Sequence, residues 1–232
     1  MRTLGIIGGT SWESTAIYYR LINEGVRDRL GGLHSAHLAL ASVDFQGYSD
    51  DMAAGRWDAV EAGLLDETDR LVGAGAEALL IASNTMHLMA ESVSNHSGLR
   101  VLHIADATGA AIKNAKLRRI GLLGTQYTME KGFYKDRFRD SFGIESIIPG
   151  ESERKTINGI IFDQLCMGVF KDESKRMLLG IIDTLAAAGA EGIVLGCTEL
   201  PLVIKQADIA LPLWDTLGLH ATMAVDFLTA ND

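Results

Sequence analysis

The chain has 232 residues, 47% hydrophobic and 22% charged, a balance that excludes a disordered chain and gives enough apolar material for one large domain or two small ones. A formal charge of -9 without a long basic stripe excludes broad nucleic-acid binding, which needs a cationic footprint to displace counterions. No apolar run reaches the roughly 20 residues of a membrane helix, and Gly8 and Gly9 break the apolar start too early for a secretory leader, so a cytoplasmic protein is expected.

In chain order, Leu4-Gly5-Ile6-Ile7-Gly8 reads as a buried strand running into the loop Gly8-Gly9-Thr10. These glycines do not complete a dinucleotide fingerprint, and no Gly-Lys-Ser/Thr follows, so nucleotide binding is not expected. The loop is either a plain tight turn or one that lets backbone approach a ligand with Thr10 beside it. Apolar residues then recur every three or four positions over 14–29 and 57–74, which predicts helices. A buried strand is expected before Ser83-Asn84-Thr85, another over 102–106, and a helix over 108–116. The second half gives a strand over 120–124, a core segment over 160–170 that holds Cys166, and a helix over 174–188. A strand leading to Cys197-Thr198-Glu199, a strand over 211–215 and a helix over 217–229 complete the pattern.

The two halves repeat each other. Ile120-Gly121-Leu122-Leu123-Gly124 follows Leu4-Gly5-Ile6-Ile7-Gly8 by 116 positions, and each run is soon followed by threonine. Gly189-Ala190-Glu191-Gly192-Ile193-Val194-Leu195-Gly196-Cys197 follows Gly75-Ala76-Glu77-Ala78-Leu79-Leu80-Ile81-Ala82-Ser83 by 114. A weaker echo sets Leu102-His103-Ile104-Ala105-Asp106 against Leu211-Pro212-Leu213-Trp214-Asp215. Strand and helix alternate, so the expected fold class is α/β, with two pseudo-symmetric lobes, each a mostly parallel sheet flanked by helices. The first lobe is expected over 1–99, completed by a C-terminal helix in 216–232, and the second over 100–215.

Ligands of parallel α/β sheets bind beyond the carboxyl ends of strands, where loops enter helices. Ser83-Asn84-Thr85 and Cys197-Thr198-Glu199 occupy corresponding positions of that kind, and lobes facing about a pseudo-twofold axis would bring them together across a cleft. Asn84, Thr85 and Thr198 supply hydroxyl, amide and backbone donors for a carboxylate, although each also suits a helix cap. A thiol whose pKa is lowered by a helix N-terminus can pass between thiol and thiolate near neutral pH, which suits removal and return of a proton on a carbon next to a carboxylate. The plain alternative is that Cys197 is a small buried residue, as free cysteines commonly are.

Gly8-Gly9-Thr10, Ser83-Asn84-Thr85-Met86-His87 and Gly196-Cys197-Thr198-Glu199 resemble the aspartate/glutamate racemase family along the whole chain. Trp12-Glu13-Ser14-Thr15, Leu33-His34-Ser35 and the segment 162–170 resemble its bacterial branch of L-aspartate/glutamate-specific or broad-specificity amino-acid racemases. The resemblance implies a two-lobed, commonly homodimeric enzyme that works without cofactors on a small amino acid, with Cys197 and the residue at 83 on opposite faces of Cα. Ordinary members carry cysteine in both loops; Ser83 stands where the first would be. A serine hydroxyl is too weak an acid to supply a base unaided, which leaves Ser83 as proton donor or water positioner, as a loop cap, or as an engineered replacement. Met52 falls where closer relatives have a polar substrate contact, and the lysine and arginine of an aspartate specialist are missing near Cys166 and Ser49, which implies a broader or less acidic substrate.

The six histidines are scattered, and the one close pair, His34 and His37, lacks partners at metal-ligand spacing, so no metal is expected. His87 either faces the cleft or packs on its own helix. Three rivals remain open at this point: a single-cysteine decarboxylase or isomerase of the same superfamily, an amino-acid-binding protein that has lost catalysis, and a pyridoxal enzyme, disfavoured because no lysine sits at the repeated strand ends.

Overall fold

A computed structural model describes residues 1–230; positions 231–232 of the expected C-terminal segment lie outside the described residues. The chain divides into two compact units, Met1–His103 with the chain from His220 onward, and Ile104–Leu219.

In the first unit, β1 (Leu4–Gly8), β2 (Leu38–Ser42), β3 (Ala78–Ile81) and β4 (Arg100–Leu102) form a parallel sheet in the order β2-β1-β3-β4. Helices α1 (Trp12–Leu30), α2 (Phe45–Ala53), α3 (Trp57–Gly73) and α4 (Ala90–Ser97) connect and flank the strands. β1 and β3 are buried along their whole length, as central strands covered on both faces must be, and this is why they read as unbroken apolar runs. α3 lays Val60, Leu64, Thr68 and Leu71 against them at helical spacing, and each fully buried leucine contributes roughly 2–3 kcal/mol. Ser11 caps α1 by accepting from the Ser14 N–H.

The second unit holds α5 (Ile104–Asn114), β5 (Arg119–Gly124), α6 (Gln126–Glu130), α7 (Gly132–Arg137), β6 (Glu145–Ile147), α8 (Glu151–Asp163), α9 (Asp172–Ala187), β7 (Ile193–Gly196), α10 (Leu200–Val203) and β8 (Leu213–Asp215). The last helix, α11 (Thr216–Thr229), starts here and continues in the first unit, where Val225 fills the space over Gly25 of α1 and Arg29 pairs with Asp226 at 2.7 Å. The sheet order β6-β5-β7-β8 repeats that of the first unit, again all parallel. α9 buries Leu178, Ile181, Ile182 and Leu185 in a core with Ile157, Ile160, Ile161 and Leu195.

The repeat extends to individual hydrogen bonds. Gly75 and Gly189 both take positive φ (83° and 94°) after α3 and α9, and the next N–H returns to Leu71 or Leu185. Glu77 then accepts from the Thr3 N–H, while Glu191 accepts from the N–H groups of Arg118 and Arg119.

The third echo is out of register. The ladders pair Leu79 with Val101 and Ile193 with Leu213, so Leu102 corresponds to Trp214 and His103 to Asp215. Strand β4 stops at Leu102, and 104–106 are already helical because Ile104, Ala105 and Thr108 form the buried stripe of α5. The apolar segment 160–170 is also broken. α8 ends at Asp163, Gly168 turns with φ 69°, and Met167, Val169 and Phe170 are exposed, while Cys166 is half-buried against the core.

Candidate active site

The carboxyl ends of β7 and β5 lie side by side, with Gly196 paired to Gly124. A Cβ on Gly124 would sit 2.7 Å from the Gly196 carbonyl oxygen, so the close approach needs glycine there. The chain leaves β7 at Cys197, which is 5% exposed. Its Sγ–H donates to Glu199 Oε2 at 3.0 Å, and the Thr198 hydroxyl donates to the same oxygen at 2.9 Å. Burial raises the thiol pKa well above its ordinary value, and the negative charge of Glu199 and its acceptance of the thiol proton raise it further. This corrects the expectation of a thiol acidified by a helix N-terminus: α10 spans four residues, too short for a sizeable dipole, and the dominant neighbour is a carboxylate. Cys197 rests as a thiol with a proton acceptor already in place.

In the first unit the corresponding loop leaves β3 through Ala82 and Ser83 into a 3-10 turn, Thr85–Met89. Ala82 N–H returns to the Ile7 carbonyl, which ties this loop to the end of β1. Ser83 is half-buried, and its hydroxyl oxygen accepts weakly from the Met86 N–H at 3.4 Å, a cap-like contact. Asn84 and Thr85 are buried behind it, and Thr10 is buried in the loop after β1. That loop is fixed by Gly9 (φ 91°), whose N–H donates to Thr15 Oγ1 at 2.9 Å; a Cβ at Gly9 would come within 2.2 Å of the Val43 carbonyl oxygen. Met52, on α2, is buried in the apolar cluster of the first unit with Val60 and Met86.

Two features escaped the sequence. The first is the role of Glu199, whose signal was a carboxylate two residues beyond the thiol. The second is a buried network beneath the Ser83 loop. His87 Nδ1–H donates to the Ser83 carbonyl at 2.6 Å, so the ring packs on its own turn as one of its two expected readings held. It lies 4.6 Å from the ring of His103 and 5.5 Å from that of His220, centroid to centroid. His220 Nε2–H donates to the Leu102 carbonyl at 2.7 Å, and Nδ1 meets the Tyr18 hydroxyl at 2.9 Å. A carbonyl can only accept, so Nδ1 of the neutral ring accepts from Tyr18. Burial, aided by the charge His87 can carry, lowers the His220 pKa to about 3. Among the described residues no three His, Cys, Asp or Glu side chains gather as a metal-binding set, and no helix is long and apolar enough to cross a membrane.

Two copies of a parallel four-stranded α/β unit, with the same strand order in each, are the two-sheet fold class of the Asp/Glu racemases. The chain belongs to the Asp/Glu/Hydantoin racemase family, a family of isomerase-type enzymes, whose model matches residues 7–224. Over 99% of its length, and 100% of the other chain, it is similar to a putative Asp/Glu racemase from Yersinia pestis, with 43% identity and a TM-score of 0.92. With 32% identity and a TM-score of 0.83 it is similar to an aspartate racemase homologue from Pyrococcus horikoshii OT3, covering 99% of this chain and 100% of that one. It is 26% identical to a glutamate racemase of Synechococcus sp. over 144 residues, 58% of this chain and 48% of that protein. The chain thus spans about half the length of that curated relative.

Proposed function

We propose that the protein is an amino-acid racemase that needs no cofactor and works by proton abstraction and return at Cα, with Cys197 as the acid/base residue and Ser83 on the opposite face. The observation that carries this reading is the Cys197 thiol held at 3.0 Å on the Glu199 carboxylate, in the copy of the unit whose partner copy bears a hydroxyl at the matching position. Glu199 takes the thiol proton when substrate arrives, the thiolate takes the Cα proton, and a proton comes back to the other face from the Ser83 hydroxyl or from a water it holds; after product leaves, Glu199 gives its proton to solvent and the Ser83 side takes one from solvent, which resets the site. Thr10, Asn84, Thr85 and Thr198 bind the substrate α-carboxylate and ammonium groups. Met52, embedded in an apolar cluster, offers no charge to a side-chain carboxylate, which favours a broad or weakly acidic substrate over an aspartate specialist. The relatives named as aspartate and glutamate racemases support a small amino acid as substrate.

The test is NMR in deuterium oxide across a panel of amino acids. Wild type should exchange Cα hydrogen of at least one, and Cys197→Ala should lose that exchange; Ser83→Cys should raise kcat in the slower direction. Exchange that survives Cys197→Ala would sink the reading. Release of carbon dioxide from a disubstituted malonate with no amino-acid exchange would transfer Cys197 to a decarboxylase.

A further inference from the structure

We infer that His87 is a positioning residue for the Ser83 face of the site, an assignment that rests on the racemase reading above: its imidazole holds the Ser83 carbonyl and so frees a backbone N–H for the Ser83 hydroxyl. Where a strand exit turns into a helix, the first carbonyl is normally met by the N–H three or four residues on. In the Ser83 loop both of those N–H groups point elsewhere. Met86 N–H goes to Ser83 Oγ at 3.4 Å, and His87 N–H goes to the Asn84 carbonyl at 3.2 Å. The Ser83 carbonyl is met instead by His87 Nδ1–H, at 2.6 Å. The Ser83 N–H turns back to the Ile81 carbonyl at 2.8 Å, so the imidazole is what sets the plane of the peptide between Ser83 and Asn84.

The matching loop of the second unit shows the same turn without this device. On the repeat's register Met86 matches Leu200 and His87 matches Pro201. There Leu200 N–H donates to the Cys197 carbonyl at 3.3 Å, the ordinary bond from three residues on, and proline offers neither an N–H nor a side-chain donor. The Cys197 thiol finds its partner in a side chain, Glu199, whereas the Ser83 hydroxyl finds its partner in the backbone of its own turn. An N–H on Oγ leaves the O–H to donate, and it steadies the negative charge that builds on the oxygen as the proton leaves. The His87 ring is buried and held in place between the rings of His103, at 4.6 Å, and His220, at 5.5 Å. His220 is in turn tied at both nitrogens, to the Leu102 carbonyl and the Tyr18 hydroxyl, so α1 and α11 both brace the Ser83 loop through this ring.

The test follows two rates in deuterium oxide, with the full chain and each enantiomer of an amino acid that wild type turns over: loss of Cα hydrogen by NMR, and inversion by chiral chromatography. A carbanion left by Cys197 is inverted by a proton from the Ser83 side. When that side fails, deuterium still returns from the Cys197 side, because the hydrogen on sulfur exchanges with solvent deuterium through Glu199. His87→Leu is close in size to the ring but has no donor, so the Ser83 carbonyl reclaims the Met86 N–H. For the enantiomer whose Cα proton faces Cys197, the ratio of exchange to inversion should rise about tenfold, the effect of roughly one hydrogen bond. His87→Asn places an amide N–H near the position of Nδ1 and should bring the ratio most of the way back. Should the leucine variant not fold, asparagine decides alone: inversion kept within about fivefold of wild type, although the ring is gone, supports the donor, and a greater loss overturns it. Exchange and inversion that fall in step in His87→Leu, a ratio that does not move, or an asparagine variant no better than the leucine one would each overturn the assignment. A wild type that exchanges no amino acid would end the racemase reading itself, whereas these outcomes with an active wild type bear on His87 alone.

Discussion

Replacing His220 by glutamine should flatten the acid limb of the stability curve. In the folded chain His220 is fully buried, its Nε2–H on a carbonyl and its Nδ1 on the Tyr18 hydroxyl, and its pKa falls from the ordinary 6.5 to about 3. The unfolded chain therefore binds a proton there that the folded chain refuses. The stabilisation is whole above pH 6.5, declines as pH falls, and is gone below about 3. The full difference is about 5 kcal/mol, and the part lost between pH 7 and pH 5 is about 2 kcal/mol. Urea unfolding of wild type and His220→Gln at a series of pH values should show the variant less stable at pH 7, since it loses a buried hydrogen bond. The gap should narrow by about 2 kcal/mol at pH 5. Parallel curves between pH 7 and pH 5 would mean that His220 is protonated in the native state and that the buried-neutral reasoning is wrong.

Glu199→Gln keeps the shape of the thiol's acceptor but removes its charge. The thiolate ultraviolet absorbance of the variant should therefore appear at lower pH than in wild type, while turnover drops by about 10²–10⁴-fold for want of a group to take the thiol proton. An unmoved titration would place the carboxylate away from the sulfur in solution. Gly9→Ala forces a Cβ against the Val43 carbonyl at a φ of 91°, and should cost about 2–4 kcal/mol in thermal or urea unfolding, whereas Gly47→Ala, in the first turn of α2 where the space is open, should cost nothing.

What could be read from sequence followed burial. β1, β3, β5 and β7 are the central strands, covered on both faces, so they appear as apolar runs closed by glycine or a polar loop residue. The edge strand β2 alternates in exposure, and β4, β6 and β8 have three residues each, too few to carry a period. α3 and α9 announce themselves by spacing, whereas α8 starts Glu-Ser-Glu-Arg-Lys and buries only Ile157, Ile160 and Ile161 near its end. Cys197 and Ser83 were legible because the chain repeats itself around them. The Tyr18–His220 pair was not: the two residues are 202 positions apart, and only the return of α11 to the first unit joins them.

The asymmetry between the two loops runs deeper than one substituted cysteine. On the repeat's register Ser83 matches Cys197 and Thr85 matches Glu199, so the thiol and the carboxylate that holds its proton sit in the same copy, and the other copy has a hydroxyl in each place. On the proposed reading the Cys197 thiolate is the ready base, and the Ser83 face, which must take the Cα proton in the reverse direction, does so only through a weakly acidic hydroxyl or a water it holds. Enantiomers have equal free energy in water, so kcat/KM must be the same in both directions however lopsided the site is. The lopsidedness can therefore surface only as a matched difference in kcat and KM, with the enantiomer whose Cα proton faces Cys197 turned over faster and bound more weakly. Ser83→Cys, by giving the first loop a usable base, should bring the two kcat values together without disturbing that equality.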